Sequence, residues 1–399
     1  MIQEIKIKNF LSFKDEVTLS FLASEDKFAE DSQVVQIDEN TRLLRFGVLY
    51  GYNASGKSNL IKALRYLAYF LRYNPRDIDV GTEVTPFKLD RGSLTNHTQF
   101  ELTFYVKKTK YSYYLELNKK EVLKESLSYF RGLEQVLLFE RRIENNLSAI
   151  DFADSEEWRG VGDTAKEKIK LDCLKNISFF VARRQANVSL PMIDAAKDWL
   201  MQYILEPVFP DIALTLFAER RLSENSDLSN YLVDFLNGAD FNVTGIKSEI
   251  PENSSFSKTI FEHTVENENG SEKYYLNKTE QSMGTLRIFG LESVIYEAIK
   301  ENKFLMIDEI ETSLHNKLLE KALFEFLKAN STSQLLVTTH NDSLLDLVDD
   351  LIRKDSVYFV EKNEAGVSDL YKLIDFKGID KLSSIREAYR YKRFGATMK

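Results

Sequence analysis

Cysteine is almost missing from this 399-residue chain: Cys173 stands alone. One thiol excludes an internal disulfide framework and any cysteine-rich zinc site, and leaves Cys173 to be read as a small buried apolar residue. Long apolar runs are missing too. The stretch at 64–71 is broken by Arg65 and Tyr66 and falls short of the roughly 18 residues a membrane span needs. The opening MIQEIKIKNF alternates charge with apolarity and lacks a signal peptide's apolar core, so the expectation is a cytoplasmic protein with no membrane contact. Basic charge is in deficit, with 53 Lys and Arg against 62 Asp and Glu and a net charge of −9. That argues against a general nucleic-acid coat, because counterion release needs clustered cations. Local basic clusters at Lys107/Lys108/Lys110, Arg141/Arg142, Arg183/Arg184 and Arg390/Lys392/Arg393 read as solvated turns or edges in preference to DNA or RNA contacts. No internal repeat, low-complexity tract or sustained heptad is present, which excludes a long coiled-coil arm.

What is present is an ordinary globular composition, 43% hydrophobic and 29% charged. The length exceeds what one core usually serves, so two lobes are expected. The first 22 residues alternate around a Lys14-Asp15 turn and predict a hairpin; FGVLY at 46–50 predicts a strand, followed by a glycine-rich loop and a helical pattern over 60–71. Residues 98–143 read as antiparallel strands, and 156–238 as mostly helical with an interruption near 178–190. The polar stretches 222–230 and 250–258 read as linkers or loops. A strand near 273–277, a helix over 284–300, the strand FLMID, a helix over 316–329, the strand QLLVTTH and a closing hairpin follow. The expected organisation is an α/β chain in three segments. Residues 1–150 and 266–399 form a head with a parallel core and an antiparallel flank, and 151–265 form a mostly helical insertion.

Gly51-Tyr52-Asn53-Ala54-Ser55-Gly56-Lys57-Ser58 fits G-x-x-x-x-G-K-[ST] in full, with Asn59 beside it. Such a loop folds its N–H groups into an anion nest, its lysine reaches the β- and γ-phosphates of ATP and its serine ligates Mg²⁺. Asp308 and Glu309 end the apolar strand FLMI; by itself this could be a buried strand meeting a solvated turn, but beside a phosphate loop Asp308 would hold the Mg²⁺ shell and Glu309 would act as general base. His340 ends LLVTT, either as a strand-end histidine satisfied by a neighbour or as a sensor of the γ-phosphate. Ser282 and Gly284, in QSMGT before a helix, suit an N-cap turn, and suit a signature motif given their order among the other three.

That order of phosphate loop, long insertion, Ser-x-Gly, Asp-Glu strand and His strand resembles the ABC-type ATPase heads of the RecF, SMC and OLD families. IKIKNFLSFKD and GYNASGKSN are similar to the first strand and phosphate loop of those heads. The resemblance covers residues 1–73 and 275–345. It implies a homodimer sandwiching two ATP molecules, in which Ser282 and Gly284 reach the γ-phosphate held by the other copy. It places Glu311, Ser313 and His315 at the dimer interface and makes Gln185 a candidate for an Mg²⁺-linked glutamine loop. Met283 stands where transporter-type heads carry Gly. The chain has no Cys-x-x-Cys hook, and the 59 residues after His340 are too few for a fused Toprim nuclease domain. The tail YKRFGATMK resembles stand-alone bacterial ATPases of the RloA kind, associated with abortive infection. This implies an ATP-driven switch in anti-phage defence that works with a separate effector such as a nuclease. The alternatives are a RecF-like repair clamp on DNA and a scaffold that binds ATP without hydrolysing it; the latter fits poorly with Glu309 and His340.

Overall fold

The computed structural model describes residues 1–75, 77–239, 242–249, 258–268 and 270–397. All five residues of Phe46–Tyr50 are buried, as befits a strand covered on both faces of a parallel sheet. Gln334–Thr339 and Val357–Lys362 flank it in parallel, Phe304–Ile307 lies beyond the first, and Ser368–Lys372 closes the other edge antiparallel. A seven-stranded antiparallel sheet forms the flank, in the order Leu147–Phe152, Glu134–Glu144, Val122–Arg131, Thr109–Leu117, Thr98–Val106, Ile2–Lys8, Val17–Ser20. The expected fold class is therefore the one observed, with the opening hairpin in place.

Gln334 stitches these sheets together. Its side-chain nitrogen donates to the carbonyls of Ile2 and Leu44, each at 2.9 Å, while its oxygen accepts from Ile2 N–H at 2.6 Å and the Tyr203 hydroxyl at 3.0 Å. A fully buried amide with all four of its bonding capacities used fixes the depth at which first strand and parallel core meet.

The chain divides into two compact units, one of Met1–Pro207, Phe304–Asp308 and Gln334–Lys399, the other of Val208–Lys303 and Glu309–Ser333. These cut across the segments 1–150, 151–265 and 266–399. Residues 151–207 cluster with the first unit because they pack on the antiparallel sheet. Trp199 stacks on Phe104 with ring centroids 4.4 Å apart, and Phe179 stacks on Phe139 at 3.7 Å. The fully buried Glu125 accepts from the Tyr113 and Ser178 hydroxyls and from the N–H of Phe179, and pairs with Arg141 at 3.1 Å. Arg141 thus corrects its reading as a solvated edge. Arg183 does likewise: it is buried and paired with Asp194 at 2.7 Å. Cys173 is buried as expected, and burial pushes its thiol up to about 11.

In the second unit the helices Thr215–Glu224, Ser226–Asn237, Met283–Lys300 and Asn316–Lys328 accompany a three-stranded antiparallel sheet, Val243–Glu249, Lys258–Asn267 and Gly270–Asn277. The mostly helical expectation missed the first two of these strands. The expected linker at 222–230 is helical on both sides of Asn225, whose side chain accepts from the N–H groups of Asp227 and Leu228. Polar residues that cap and open a helix have the composition of a loop, which explains the misreading. Of the other loop expected at 250–258, residues 250–257 lie outside the described residues.

Helix Met283–Lys300 buries Glu292 completely; its Oε2 accepts from the Tyr231 hydroxyl at 2.6 Å. Burial, reinforced by the charge of Glu325, pushes this carboxyl up to about 8 against the Tyr231 hydrogen bond and Lys321, from 4.5 in the free side chain. Between those values the native state holds a proton that the unfolded chain has released, so this group's contribution to stability falls as pH rises from 4.5 to 8. Glu292→Gln removes the titration. Melting temperatures across that window should decline less steeply with pH in the variant than in the wild type; parallel declines would refute the assignment.

Candidate functional site

The loop after Phe46–Tyr50 turns into helix Lys57–Phe70 through two left-handed residues, Ala54 at φ 66° and Gly56 at φ 119°. A Cβ on Gly56 would stand 2.8 Å from the Ser12 hydroxyl and against that of Ser368, so backbone angle and space both require glycine. Gly56 caps the helix without a side-chain bond, and the first turn carries no acid. The N–H donors at that helix start and the positive end of the helix dipole together suit an anion. Lys57 is buried, with its ammonium folded onto the carbonyls of Gly51 at 2.7 Å and Tyr52 at 3.2 Å.

Parallel pairing brings the carboxyl ends of three strands to this loop, the position where open α/β sheets bind ligands. Asp308 follows Phe304–Ile307 and is 4% exposed, so its charge needs close partners. The Ser58 hydroxyl lies 3.1 Å from its Oδ1 and the Thr338 hydroxyl 2.5 Å from the same atom. A serine oxygen and a carboxylate held together beside phosphate donors are the hard oxygen ligands Mg²⁺ takes, with water and phosphate completing its shell. The residues therefore fit the ion. Among the described residues no group of three or more His, Cys, Asp or Glu side chains could hold a metal by itself.

The other predicted residues stand as follows. Glu309, half-buried, directly follows Asp308 with φ 49°, a left-handed angle that a glutamate adopts at a cost. His340 is exposed at the end of Gln334–Thr339. Ser282 caps helix Met283–Lys300, its hydroxyl accepting from Thr285 N–H at 3.0 Å, so the N-cap reading is realised. Met283 is 76% exposed, and a Cβ at Gly284 would meet nothing closer than 3.6 Å. Ser313 is left-handed at φ 62°, and His315 caps Asn316–Lys328 by accepting from Lys317 N–H at 3.4 Å. Gln185 is exposed, and among the described residues no hydrogen bond joins its side chain to Ser58 or Asp308. Asn59 turns its amide to the Ser12 hydroxyl at 2.8 Å. Sequence reasoning missed Thr338, Ser12 and Ser368. Only Thr338, two residues before His340 on the same strand end, carried a signal.

A family model described as "AAA domain, putative AbiEii toxin, Type IV TA system" matches residues 46–170 and 205–346, two thirds of the chain. The chain belongs to this AAA family. The match spans the phosphate loop and both the acidic and the histidine strand ends, and it makes the chain an ATPase-type head. Solved structures similar to it include the SMC head domain from Thermotoga maritima, at 15% identity over 93% of this chain and 98% of that one, TM-score 0.43. A second is an SMC head bound to the C-terminal domain of ScpA derived from Pyrococcus furiosus, at 12% identity over 98% of each chain, TM-score 0.44. No curated protein matches the chain. Among the described residues no helix is long and apolar enough to cross a membrane.

Because the AAA loop depends on the Gly56 geometry, Gly56→Ala should lower nucleotide affinity by at least about 10-fold, the scale set by losing charge-assisted phosphate contacts. Titration with a fluorescent ATP analogue would measure this, with circular dichroism confirming the fold. Wild-type affinity in the variant would contradict the cradle.

Proposed function

We propose that this chain hydrolyses ATP with Mg²⁺ at composite sites between two copies of itself, in the cytoplasm, as a conformational switch. The observation that carries this reading is the Ser58–Asp308–Thr338 group, with Asp308 and Thr338 buried, beside Lys57 and a helix N-terminus that no side chain caps. Ser58 and Asp308 would hold Mg²⁺, whose charge supports that developing on the transferring phosphoryl group. Lys57 leaves its loop carbonyls for the phosphates. Glu309 takes the proton of the attacking water, and His340 hydrogen-bonds the γ-phosphate. Ser282 and Gly284 of the opposite copy complete the site, as the resemblance to ABC-type heads implies. The family description supports a place in bacterial toxin control or anti-phage defence with a separate effector. A DNA-repair clamp is not favoured, because the net charge is −9 and Arg141, Arg183 and Arg390 are engaged by carboxylates.

Glu309→Gln keeps the shape of the side chain and removes the base. Turnover should fall by on the order of 10² to 10⁴ while ATP binding persists, and the ATP-bound dimer should accumulate in light scattering after size exclusion. Undiminished turnover would assign the base elsewhere.

Composite sites predict complementation. Lys57→Ala disables the site on its own chain, whereas Ser282→Arg blocks the site of the other copy. In a mixed dimer one site inherits both defects and the other none. Equal mixing of the two inactive variants should restore roughly a quarter of wild-type turnover if pairing is random and sites act independently. Full activity of Ser282→Arg alone would remove the signature assignment.

A further inference from the structure

The phosphate loop is tied from outside by two segments far from it in sequence. Ser12 lies in the turn of the opening hairpin, and Ser368 opens the last strand of the parallel sheet. Both are buried, at 7% and 2% exposure. The Ser368 hydroxyl is 2.6 Å from the Ser55 carbonyl and 2.8 Å from the Ser12 hydroxyl, which is 2.8 Å from the side-chain nitrogen of Asn59. Proton counting fixes the direction. A carbonyl only accepts, so the single Ser368 proton goes to Ser55; the Ser12 proton must then go to Ser368, leaving Ser12 to accept from Asn59. The result is a continuous relay, Asn59 to Ser12 to Ser368 to Ser55, whose ends bracket Gly56-Lys57-Ser58. The strands around Ser368 press on the loop twice more. Tyr52 donates its hydroxyl to the Lys362 carbonyl at 2.7 Å, and a Cβ on Gly51 would stand 2.5 Å from the Val360 carbonyl.

We propose that Ser12 and Ser368 are positioning residues that hold the phosphate loop in its nucleotide-binding shape, so that the hairpin Val357–Lys372 sets the affinity for ATP. This rests on the ATPase reading. Neither serine touches a reacting group; each acts by limiting the conformations open to Ser55 and Asn59, and through them the N–H groups that meet phosphate.

The test is calorimetric titration of Mg²⁺-ATP into the full chain and its Ser12→Ala, Ser368→Ala and double variants, with steady-state kinetics and melting curves. Each single variant should weaken binding and raise KM by about 3- to 10-fold, the worth of one buried hydrogen bond, with kcat changed less than about 2-fold. Because the relay is one unit, the double variant should be no worse than the weaker single. A merely structural role would lower the melting temperature without moving KM, and that outcome overturns the proposal, as do unchanged affinities in both single variants or fully additive losses. A wild-type chain that binds no ATP while folded overturns the ATPase reading and the relay together; a wild type that binds, with variants that bind equally well, overturns the relay alone. If one serine variant fails to fold, the other decides.

Discussion

The site rests on the seam that Gln334 makes. The first strand of an antiparallel sheet and the end of Thr41–Leu44 meet the parallel strand that Gln334 opens, and its one amide satisfies the N–H and carbonyl of Ile2 and the carbonyl of Leu44. Buried peptide groups at such a junction have no water to turn to, so an apolar residue at 334 would leave several unpaired. The strand that begins at Gln334 ends at Thr339, five residues further on, and the Thr338 hydroxyl is what holds Asp308. Register set at one end of this strand thus becomes side-chain position at the other.

Asp308 is the point where that order becomes chemistry. A carboxylate this deep would be costly if unpaired, and the two hydroxyls on its Oδ1 lower that cost without neutralising it. Through Ser58 it meets the first turn of the helix that Lys57 opens. The helix dipole and the Asp308 carboxylate are fixed before a phosphate arrives, whereas the Lys57 ammonium must leave the Gly51 and Tyr52 carbonyls to meet it.

Much of this was legible in the sequence. FGVLY, FLMI and QLLVTT are apolar runs too short for a buried helix, and their length together with the Gly51 and Asp308 that follow the first two marks them as buried strands. Gly56, Lys57 and Ser58 were legible as a motif of fixed spacing, and Asp308 as the acid that ends FLMI. Strands Val243–Glu249 and Lys258–Asn267 were not, because their residues alternate weakly and border a run of Ser, Asn and Glu. Strand Leu147–Phe152 was passed over although Asn145-Asn146 precedes it, both at positive φ, a pairing that suits a tight hairpin. Ser12 and Ser368 could not have been read at all. Two isolated serines acquire meaning only when the fold brings their hydroxyls to one carbonyl.

The left-handed backbone at Glu309 has a consequence for anyone who tries to improve this protein. Screens for heat resistance favour glycine or asparagine at such angles, since a residue with a bulky Cβ gives up roughly 1 kcal/mol there. Either replacement would delete the carboxylate. With Glu309 as the general base proposed above, a search for toughness and a search for activity would pull the sequence in opposite directions here, and a stabilised library that looks healthy by every folding assay would be enriched in chains without turnover.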